Sequence, residues 1–351
     1  MERGMQSGGT RPGARRGWRV PGAGLAVVLA LLAGGSSPVL GGPALTPVRM
    51  GSVPDVGFMV LYVAMAKGLY RAHGLDVSYQ AIPGGGKVNQ ALVTGAIDAA
   101  GIGDPDAVLS YLAGRPVRIV QALYTHEFIE LVVRQDLRGK VKTVRDLRGL
   151  RIGVSSAGSI SWAFARLMVA RAGLNPSTDV SLVFVGAPTT MYTALRSGKI
   201  DAAAAWEPLP STAIAQHQGY ILASLLDPAE HERIVGASRS LALDLLVRTE
   251  TITRTPQVVR ALVAADREAI QWIRGHPTAA LVQVLKRYFP SAPTAILTRA
   301  VERRMVGLPT DGSLSEADYI ADTTALQKAG VLKSRPPFRE IVDCDFAGCR
   351  P

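Results

Sequence analysis

The stretch that decides the fold is Ala-Leu-Val-Thr-Gly-Ala-Ile-Asp-Ala-Ala at residues 91–100, which returns 103 residues later as Ala-Leu-Arg-Ser-Gly-Lys-Ile-Asp-Ala-Ala at residues 194–203. Each copy ends a predicted helix at a glycine, which suits the left-handed conformation common at that place. Each then enters a short apolar strand and meets an acid–proline pair, Asp104-Pro105 or Glu207-Pro208, suited to the first turn of a new helix. The duplication predicts two similar α/β lobes that face one another.

Short β-type runs alternate with helical runs around both copies. The hydrophobic pattern predicts helices over 57–72, 159–172 and 189–197, and a mainly helical chain from Pro256 onward. It predicts strands over 48–53, 75–79, 97–102, 117–123, 128–133, 150–154, 180–185, 200–205 and 241–247. This alternation favours parallel α/β layers.

Three further segments resemble the same family as the duplicated motif does. They are Leu61–Tyr70, the following Gly74–Val77, and Thr143–Val154. The chain resembles the solute-binding proteins of ABC importers for sulfonates, taurine, nitrate and thiamine precursors, from about Val48 to Pro277. The resemblance implies the type II periplasmic-binding fold: two Rossmann-like lobes joined by a hinge, with a helical C-terminal part.

The same resemblance implies a division of the chain and a set of partners. We expect lobe 1 to hold residues 48–134 and 240–351 and lobe 2 to hold residues 135–239, with crossings near 133–137 and 236–241. The protein would be a monomer that binds a small solute between its lobes. A permease in the inner membrane would then recognise the solute-bound protein. Neither a cofactor nor a metal is expected, and no reaction is catalysed.

The N-terminus has the order of an export signal. Five arginines (Arg3, Arg11, Arg15, Arg16 and Arg19) precede a nine-residue apolar run at 25–33 and a stretch of small residues that ends at Ala44. A membrane span needs about 20 apolar residues, so a permanent anchor is disfavoured. We therefore expect residues 1–44 to be a cleavable signal peptide and the mature protein to be periplasmic. Arg15-Arg16 leaves twin-arginine export open beside the general route, and the lack of a cysteine near the apolar run excludes a lipoprotein.

Charge and cysteine content indicate which partners and which covalent links the protein has. The net charge of +11 falls to about +7 without residues 1–44, and the basic residues are scattered rather than clustered. Nucleic-acid binding requires a concentrated basic patch, so we expect no nucleic-acid partner. In an oxidising compartment Cys344 and Cys349, five residues apart, are predicted to form a local disulfide.

Parallel sheets bind ligands beyond the carboxyl ends of their strands, where helix N-termini present free N–H groups. That rule selects five loops: 52–57, 83–87, 103–104, 155–159 and 206–207. The glycine and hydroxyl residues of loop 155–159 suit the oxygens of an anion, although a serine there could equally cap a helix. The candidate solute-binding residues are Asp55, Phe58, Gly85, Asp104, Tyr124, Ser155, Ser156, Ser159, Trp206 and Glu207.

The sequence is compatible with either charge on the solute. The five loops carry three carboxylates, Asp55, Asp104 and Glu207, against the single lysine Lys87. A sulfonate, nitrate or taurine-like solute would rely on backbone N–H groups and hydroxyls. A pyrimidine or another aminated heterocycle of the thiamine-precursor type would suit the carboxylates better.

Two other functions share this fold. The cofactor-less pyrimidine synthases of thiamine synthesis carry a cysteine-rich motif and an active-site histidine, both of which this chain lacks in the corresponding region. A sensory protein would use the same clamp and differ only in its partner, so the sequence does not separate sensing from import.

Overall fold

The computed structural model describes residues 44–115 and 117–350, so all but the last residue of the predicted signal peptide lies outside the described residues. The strands form two separate sheets of five. The first four strands are β1 (Thr46–Ser52), β2 (Leu75–Ala81), β3 (Ala99–Gly103) and β4 (Val117–Tyr124). The others are β5 (Glu130–Arg134), β6 (Arg151–Val154), β7 (Ser181–Phe184), β8 (Ala202–Ala205), β9 (Gly219–Ser224) and β10 (Leu243–Arg248).

The two sheets have the same plan. The first has the strand order β2-β1-β3-β10-β4 and the second the order β7-β6-β8-β5-β9. In each sheet the strand that arrives from the other sheet, β10 or β5, runs antiparallel to both of its neighbours. The layers are therefore mainly parallel, as expected, with one antiparallel strand in each sheet. Each arriving strand starts at the edge where the parallel strands end, so it must run in the opposite direction.

Helices fill the connections between the strands. Those of the first half are α1 (Met59–Ala66), α2 (Leu69–Ala72), α3 (Gly85–Val93), α4 (Asp104–Leu112), α5 (Ile160–Arg171), α6 (Pro188–Arg196), α7 (Leu209–Ala215) and α8 (Pro228–Val235). After β10 come α9 (Thr249–Arg254), α10 (Pro256–Gly275), α11 (Thr278–Leu285), α12 (Thr294–Arg304), α13 (Glu316–Lys328), α14 (Phe338–Ile341) and α15 (Cys344–Ala347). The helix predicted over 57–72 is interrupted because Gly68 takes a φ of 70°.

The first crossing between the sheets lies earlier than the sequence predicts. Strand β4 ends at Tyr124 in the first sheet, whereas β5, from Glu130, pairs with β8 and β9 of the second. Residues 130–134 therefore belong with the second sheet and not with lobe 1. An apolar strand of this kind fits either sheet, and only its hydrogen-bonded partners decide. The chain returns between β9 and β10, and β10 pairs in the first sheet.

Several C-terminal helices cover the first sheet, whereas α12 also contacts α7, and α13 contacts α5 and α8, of the second half. The long helix α10 packs against α1 and α2, and α15 packs on α10 and on β4. A disulfide joins Cys344 to Cys349 at the two ends of the segment that contains α15. The Arg267 guanidinium of α10 donates hydrogen bonds to the carbonyl oxygens of Phe346 and Ala347. Among the helices within residues 44–115 and 117–350, none combines the length and the apolar character that a membrane span requires.

One buried acid in this region predicts a pH-dependent stability. Asp266 in α10 is fully buried, and its Oδ1 accepts a hydrogen bond of 2.6 Å from the Tyr70 hydroxyl. Burial raises the pKa of Asp266 to about 8, although the bond from Tyr70 acts to lower it. The folded chain therefore keeps a proton that the unfolded chain loses near pH 4. Stability from this group is complete below pH 4 and is lost as the pH rises towards 8.

We expect Asp266→Asn to remove this pH dependence, because the amide stays neutral at every pH while its oxygen can still accept from Tyr70. Between pH 5 and pH 7.5, the unfolding free energy of the variant should rise relative to that of the wild type by about 1.4 kcal/mol for each pH unit. Denaturant titrations at several pH values measure that difference. Curves that stay parallel over this range would contradict the assignment.

Candidate functional site

A small cavity of about 20 Å³ lies between the two sheets, where the strands end. This volume holds about one water molecule, so the two halves of the protein are closed over it. Residues from both halves line it: Val53, Asp55, Gly85, Ile102, Gly103, Asp106, Phe128, Ser155, Ser159, Ile160, Ser161, Trp206 and Leu243. All five loops that the sequence selects contribute to the cavity or to residues beside it.

Two of these loops touch across the cavity. The Gly86 N–H donates to the Ser156 hydroxyl at 3.3 Å, which joins loop 83–87 of the first half to loop 155–159 of the second. Glycines favour this approach at two positions. Gly84 has a φ of 116°, and a Cβ on Gly86 would lie 3.2 Å from Ser156 Oγ.

Loop 155–159 starts helix α5 and supplies both a cap and a free hydroxyl. The Ser159 side chain accepts from the Trp162 N–H as the N-cap of α5 and donates to the Ser156 carbonyl at 2.8 Å. The Ser155 N–H donates to the Ser161 hydroxyl at 2.9 Å. The Ser155 hydroxyl is buried and has no hydrogen-bond partner among the described residues. Of these serines, Ser155 is therefore the one whose hydroxyl is available to a bound molecule.

Asp55, at one wall of the cavity, is paired with a buried arginine. Arg304 at the end of α12 is fully buried, and its Nη2 lies 2.9 Å from Asp55 Oδ2. The guanidinium also lies 3.7 Å from the centre of the Phe128 ring and 4.2 Å from that of Tyr124. Burial raises the pKa of Asp55 to about 6, against the opposing effect of Arg304. Asp55 is thus held in place by a cation rather than left free for a solute.

The neighbouring arginine joins the two halves. Arg303 donates to the carboxylate of Glu130, at the start of β5, and its Nη1 lies 2.5 Å from Glu207 Oε1. Both glutamate side chains are fully buried, and Glu207 also accepts from the Ser211 hydroxyl at 2.7 Å. Burial raises the pKa of Glu130, with Arg303 acting in the opposite direction. A second link is the hydrogen bond of 3.1 Å from Trp206 Nε1 to the Pro54 carbonyl.

A larger open pocket of about 650 Å³ adjoins the cavity at Ser155, which lines both. Pro83 and Lys87 come from the first half, and the remaining lining residues come from the second half: Ser155, Ser156, Ala157, Phe184, Val185, Gly186, Thr190, Thr193, Ala194, Ser197 and Lys199. The Phe184 side chain is largely exposed there. Two lysines thus stand at the outer pocket, whereas the inner cavity is lined by two aspartates.

The candidate residues therefore separate into three groups. Asp55, Gly85, Ser155, Ser159 and Trp206 line the inner cavity, and Ser156 lines the outer pocket. Phe58, Asp104, Tyr124 and Glu207 line neither. Phe58 packs in the core against Gly101, Tyr124 lies beside the Arg304 guanidinium, and Glu207 binds Arg303.

Asp104 belongs to a cluster of buried acids behind the cavity. Asp104, Glu127 and Asp322 each offer an oxygen within 4.8 Å of the others, an arrangement that could hold a metal ion, and Asp244 is close enough to raise the pKa of Asp104. Asp104 and Asp322 lie close enough for their carboxyls to share a proton in a hydrogen bond. Burial and the neighbouring acids raise the pKa of Asp104 and Glu127 well above the usual range, and burial raises that of Asp322 to about 6. Protonation of these carboxyls or a bound cation would offset the crowding of their charges.

Sequence reasoning missed Glu130, Asp106, Arg303 and Arg304. Asp106 stands two residues after Asp104. The rule that places ligands at strand ends would have selected it if loop 103–104 had been extended by one helical turn. Arg304 leaves a weak signal, because it continues the spacing of the buried Leu297, Ala300 and Val301 and so falls on the buried face of α12. Arg303 and Glu130 leave no signal in the local sequence, because the two residues that form this contact are 173 positions apart.

Known proteins resemble this chain in sequence and in structure. The family described as NMT1/THI5 like matches residues 55–280. A Brucella abortus protein provisionally named a binding protein is 28% identical over 276 residues, which cover 77% of this chain and 82% of the relative. The alkanesulfonate-binding protein SsuA of Xanthomonas axonopodis pv. citri, bound to MOPS, superposes with a TM-score of 0.70 at 20% identity over 85% of this chain and 98% of its own.

A second solved structure has the same fold. The periplasmic nitrate-binding protein NrtA of Synechocystis PCC 6803 superposes with a TM-score of 0.64 at 19% identity, over 73% of this chain and 70% of its own. At these identities the likeness establishes the fold, that of periplasmic binding proteins, and leaves the solute undetermined.

Proposed function

Since the chain belongs to the NMT1/THI5-like family, we propose that it is the solute-binding component of an ABC importer. It captures a small organic or oxyanion solute between two lobes and delivers it to a permease, and it neither makes nor breaks bonds. We place it in the periplasm as a monomer, exported by the N-terminal signal. The binding-protein and importer names of its relatives support this function.

The observation that carries the proposal is the meeting of the five strand-end loops at one cavity. Two sheets of the same plan contribute to it, so a solute held there would contact both halves of the chain. We take the halves as two lobes, with residues 46–124 and 243–350 on one side and 130–224 on the other. The segments 125–129 and 225–242 would then be the hinge.

The size of the cavity implies how binding works. About 20 Å³ cannot admit even a small sulfonate, so the lobes must part before a solute enters. A solute that bridges both lobes then favours the closed arrangement over the open one, because it gains contacts to both only when they meet. The permease would recognise that closed arrangement.

A thermal-shift screen tests the binding function. The panel holds sulfonates, taurine, nitrate, aromatic acids, pyrimidines, flavins and amidines, each over a range of concentrations. A true solute raises the melting temperature with the logarithm of its concentration. A panel without any such response would count against the proposal.

Two serines of loop 155–159 should respond differently to alanine. Ser155→Ala should leave stability unchanged, because its hydroxyl has no partner to lose, and should weaken solute binding about two- to tenfold. Ser159→Ala removes the N-cap of α5 and should lower the unfolding free energy by about 1 kcal/mol. Denaturant titration and calorimetric binding of the first hit measure the two effects. Unchanged affinity in Ser155→Ala would remove that hydroxyl from the site.

A further inference from the structure

The inner cavity has a one-sided charge. Two aspartates, Asp55 and Asp106, line it, and no lysine or arginine of the described residues does. Arg304 neutralises Asp55. The Asp106 carboxylate has neither an ion pair nor a hydrogen bond to any residue within 44–115 and 117–350, although only 3% of the residue is exposed. Asp106 is therefore the polar group that a solute would have to satisfy.

Asp106 lies in the first turn of helix α4, and an acid there benefits from the positive end of the helix. That benefit is about 0.3–1 kcal/mol near a surface and about 2 kcal/mol at most. Burial of an unpaired carboxylate costs several kcal/mol, so the helix alone does not explain the residue. Asn89, which donates to the Asp106 backbone oxygen, does not reach its carboxylate. Burial accordingly raises the pKa of Asp106 well above the usual range.

The surroundings of Asp106 fit a bound group rather than simple packing. A Cβ at Gly85 would come within 3.2 Å of its Oδ2, so the glycine keeps the carboxylate accessible from the cavity. The Ser155 hydroxyl, also buried and without a partner, lines the same space. The Trp206 side chain lines it too, and aromatic faces attract cations.

Resting on the solute-binding function above, we propose that Asp106 selects the solute by accepting hydrogen bonds from a cationic nitrogen group, an ammonium, amidinium or guanidinium. Such a group supplies both the charge and the donors that the cavity lacks. A cation beside Asp106 favours the loss of its proton, whereas an oxyanion in the same place would find no basic side chain among the described residues that line the cavity. Lys87 and Lys199 line the outer pocket only, so an acidic group of the same solute would point outward.

Benzamidine and benzoate test the proposal, because they have nearly the same planar shape and opposite charges. Benzamidine should raise the melting temperature of the wild-type protein with its concentration, and benzoate should not. In Asp106→Asn the affinity for benzamidine should fall about tenfold or more, as expected for the loss of a charge-assisted hydrogen bond. Asp266→Asn, a buried acid outside the cavity, is the matched control and should bind benzamidine like the wild type.

Three results would overturn the selection of a cation. These are a larger stabilisation by benzoate or ethanesulfonate than by benzamidine, no stabilisation by benzamidine, and equal benzamidine affinity in Asp106→Asn and the wild type. Scattering by Arg303→Met, whose lobes should start open because Arg303 no longer holds Glu130 and Glu207, separates this failure from that of the proposed function. Compaction with ethanesulfonate would support solute binding and contradict the selection of a cation. A protein that compacts with no compound of the panel would contradict both proposals.

Discussion

Replacement of Arg304 by methionine is expected to lower the unfolding free energy by about 3–5 kcal/mol. Arg304 is fully buried between the rings of Tyr124 and Phe128 and is the cation paired with the buried Asp55. Methionine can fill much of the space, but it leaves the Asp55 carboxylate in the interior without a cation. Denaturant titration at pH 7 measures the loss.

The charge explanation has a direct control. Adding Asp55→Asn to Arg304→Met removes the stranded carboxylate, so the double variant should recover part of the lost stability. Asp55→Asn keeps an oxygen that can accept from the Gly57 N–H, as Oδ1 does at 2.7 Å. A double variant no more stable than Arg304→Met would show that the loss comes from packing and not from the unpaired acid.

Replacement of Arg303 by methionine should open the two lobes rather than unfold them. Arg303 lies on α12, which packs against α11 and the turn at Val56–Phe58 and also touches α7 of the other lobe. Its guanidinium holds Glu130 and Glu207 of that lobe. Without it, two buried carboxylates face one another in the closed arrangement but can be hydrated in an open one. A penalty of about 3 kcal/mol would change the ratio of closed to open molecules on the order of a hundredfold.

A distance between two labels measures this opening. Gln90 on α3 and Arg196 on α6 are exposed, lie on opposite lobes and can be replaced by cysteine, since the described chain has no free thiol. The label distance in Arg303→Met should lengthen without solute. Arg299→Met, an exposed arginine of the same helix, should leave it unchanged, and adding Glu130→Gln and Glu207→Gln should restore the shorter distance. An unchanged distance in Arg303→Met would assign the ion pairs a purely local role.

Much of the fold follows from local sequence patterns. The two copies of Gly-x-Ile-Asp-Ala-Ala mark corresponding places in two sheets of the same plan, where helices α3 and α6 pass into strands β3 and β8. Their strand ends identify the loops of the cavity, because chain direction alone decides at which edge a parallel strand ends. Asp55, Gly85, Ser155, Ser159 and Trp206 were reachable by this argument.

The remaining features depend on contacts that no local pattern encodes. The sheet to which β5 belongs is set by hydrogen bonds to β8 and β9, some 70 to 90 residues away in sequence. The pairing of Arg304 with Asp55 spans 249 residues. Phe58 and Tyr124 stand near strand-end loops in sequence, yet their rings face the core. An aromatic residue beside a binding loop can face either the cavity or the core, and the packing of the neighbouring helices decides which of the two it faces.

The most direct test of the central claim, a two-lobed clamp that closes on its solute, is small-angle scattering of the mature protein with and without the compound that stabilises it most in the thermal screen. We use Arg303→Met for the measurement, because its lobes should start open. We expect a smaller radius of gyration when that compound is added at saturation. An unchanged radius with a compound that raises the melting temperature would contradict closure.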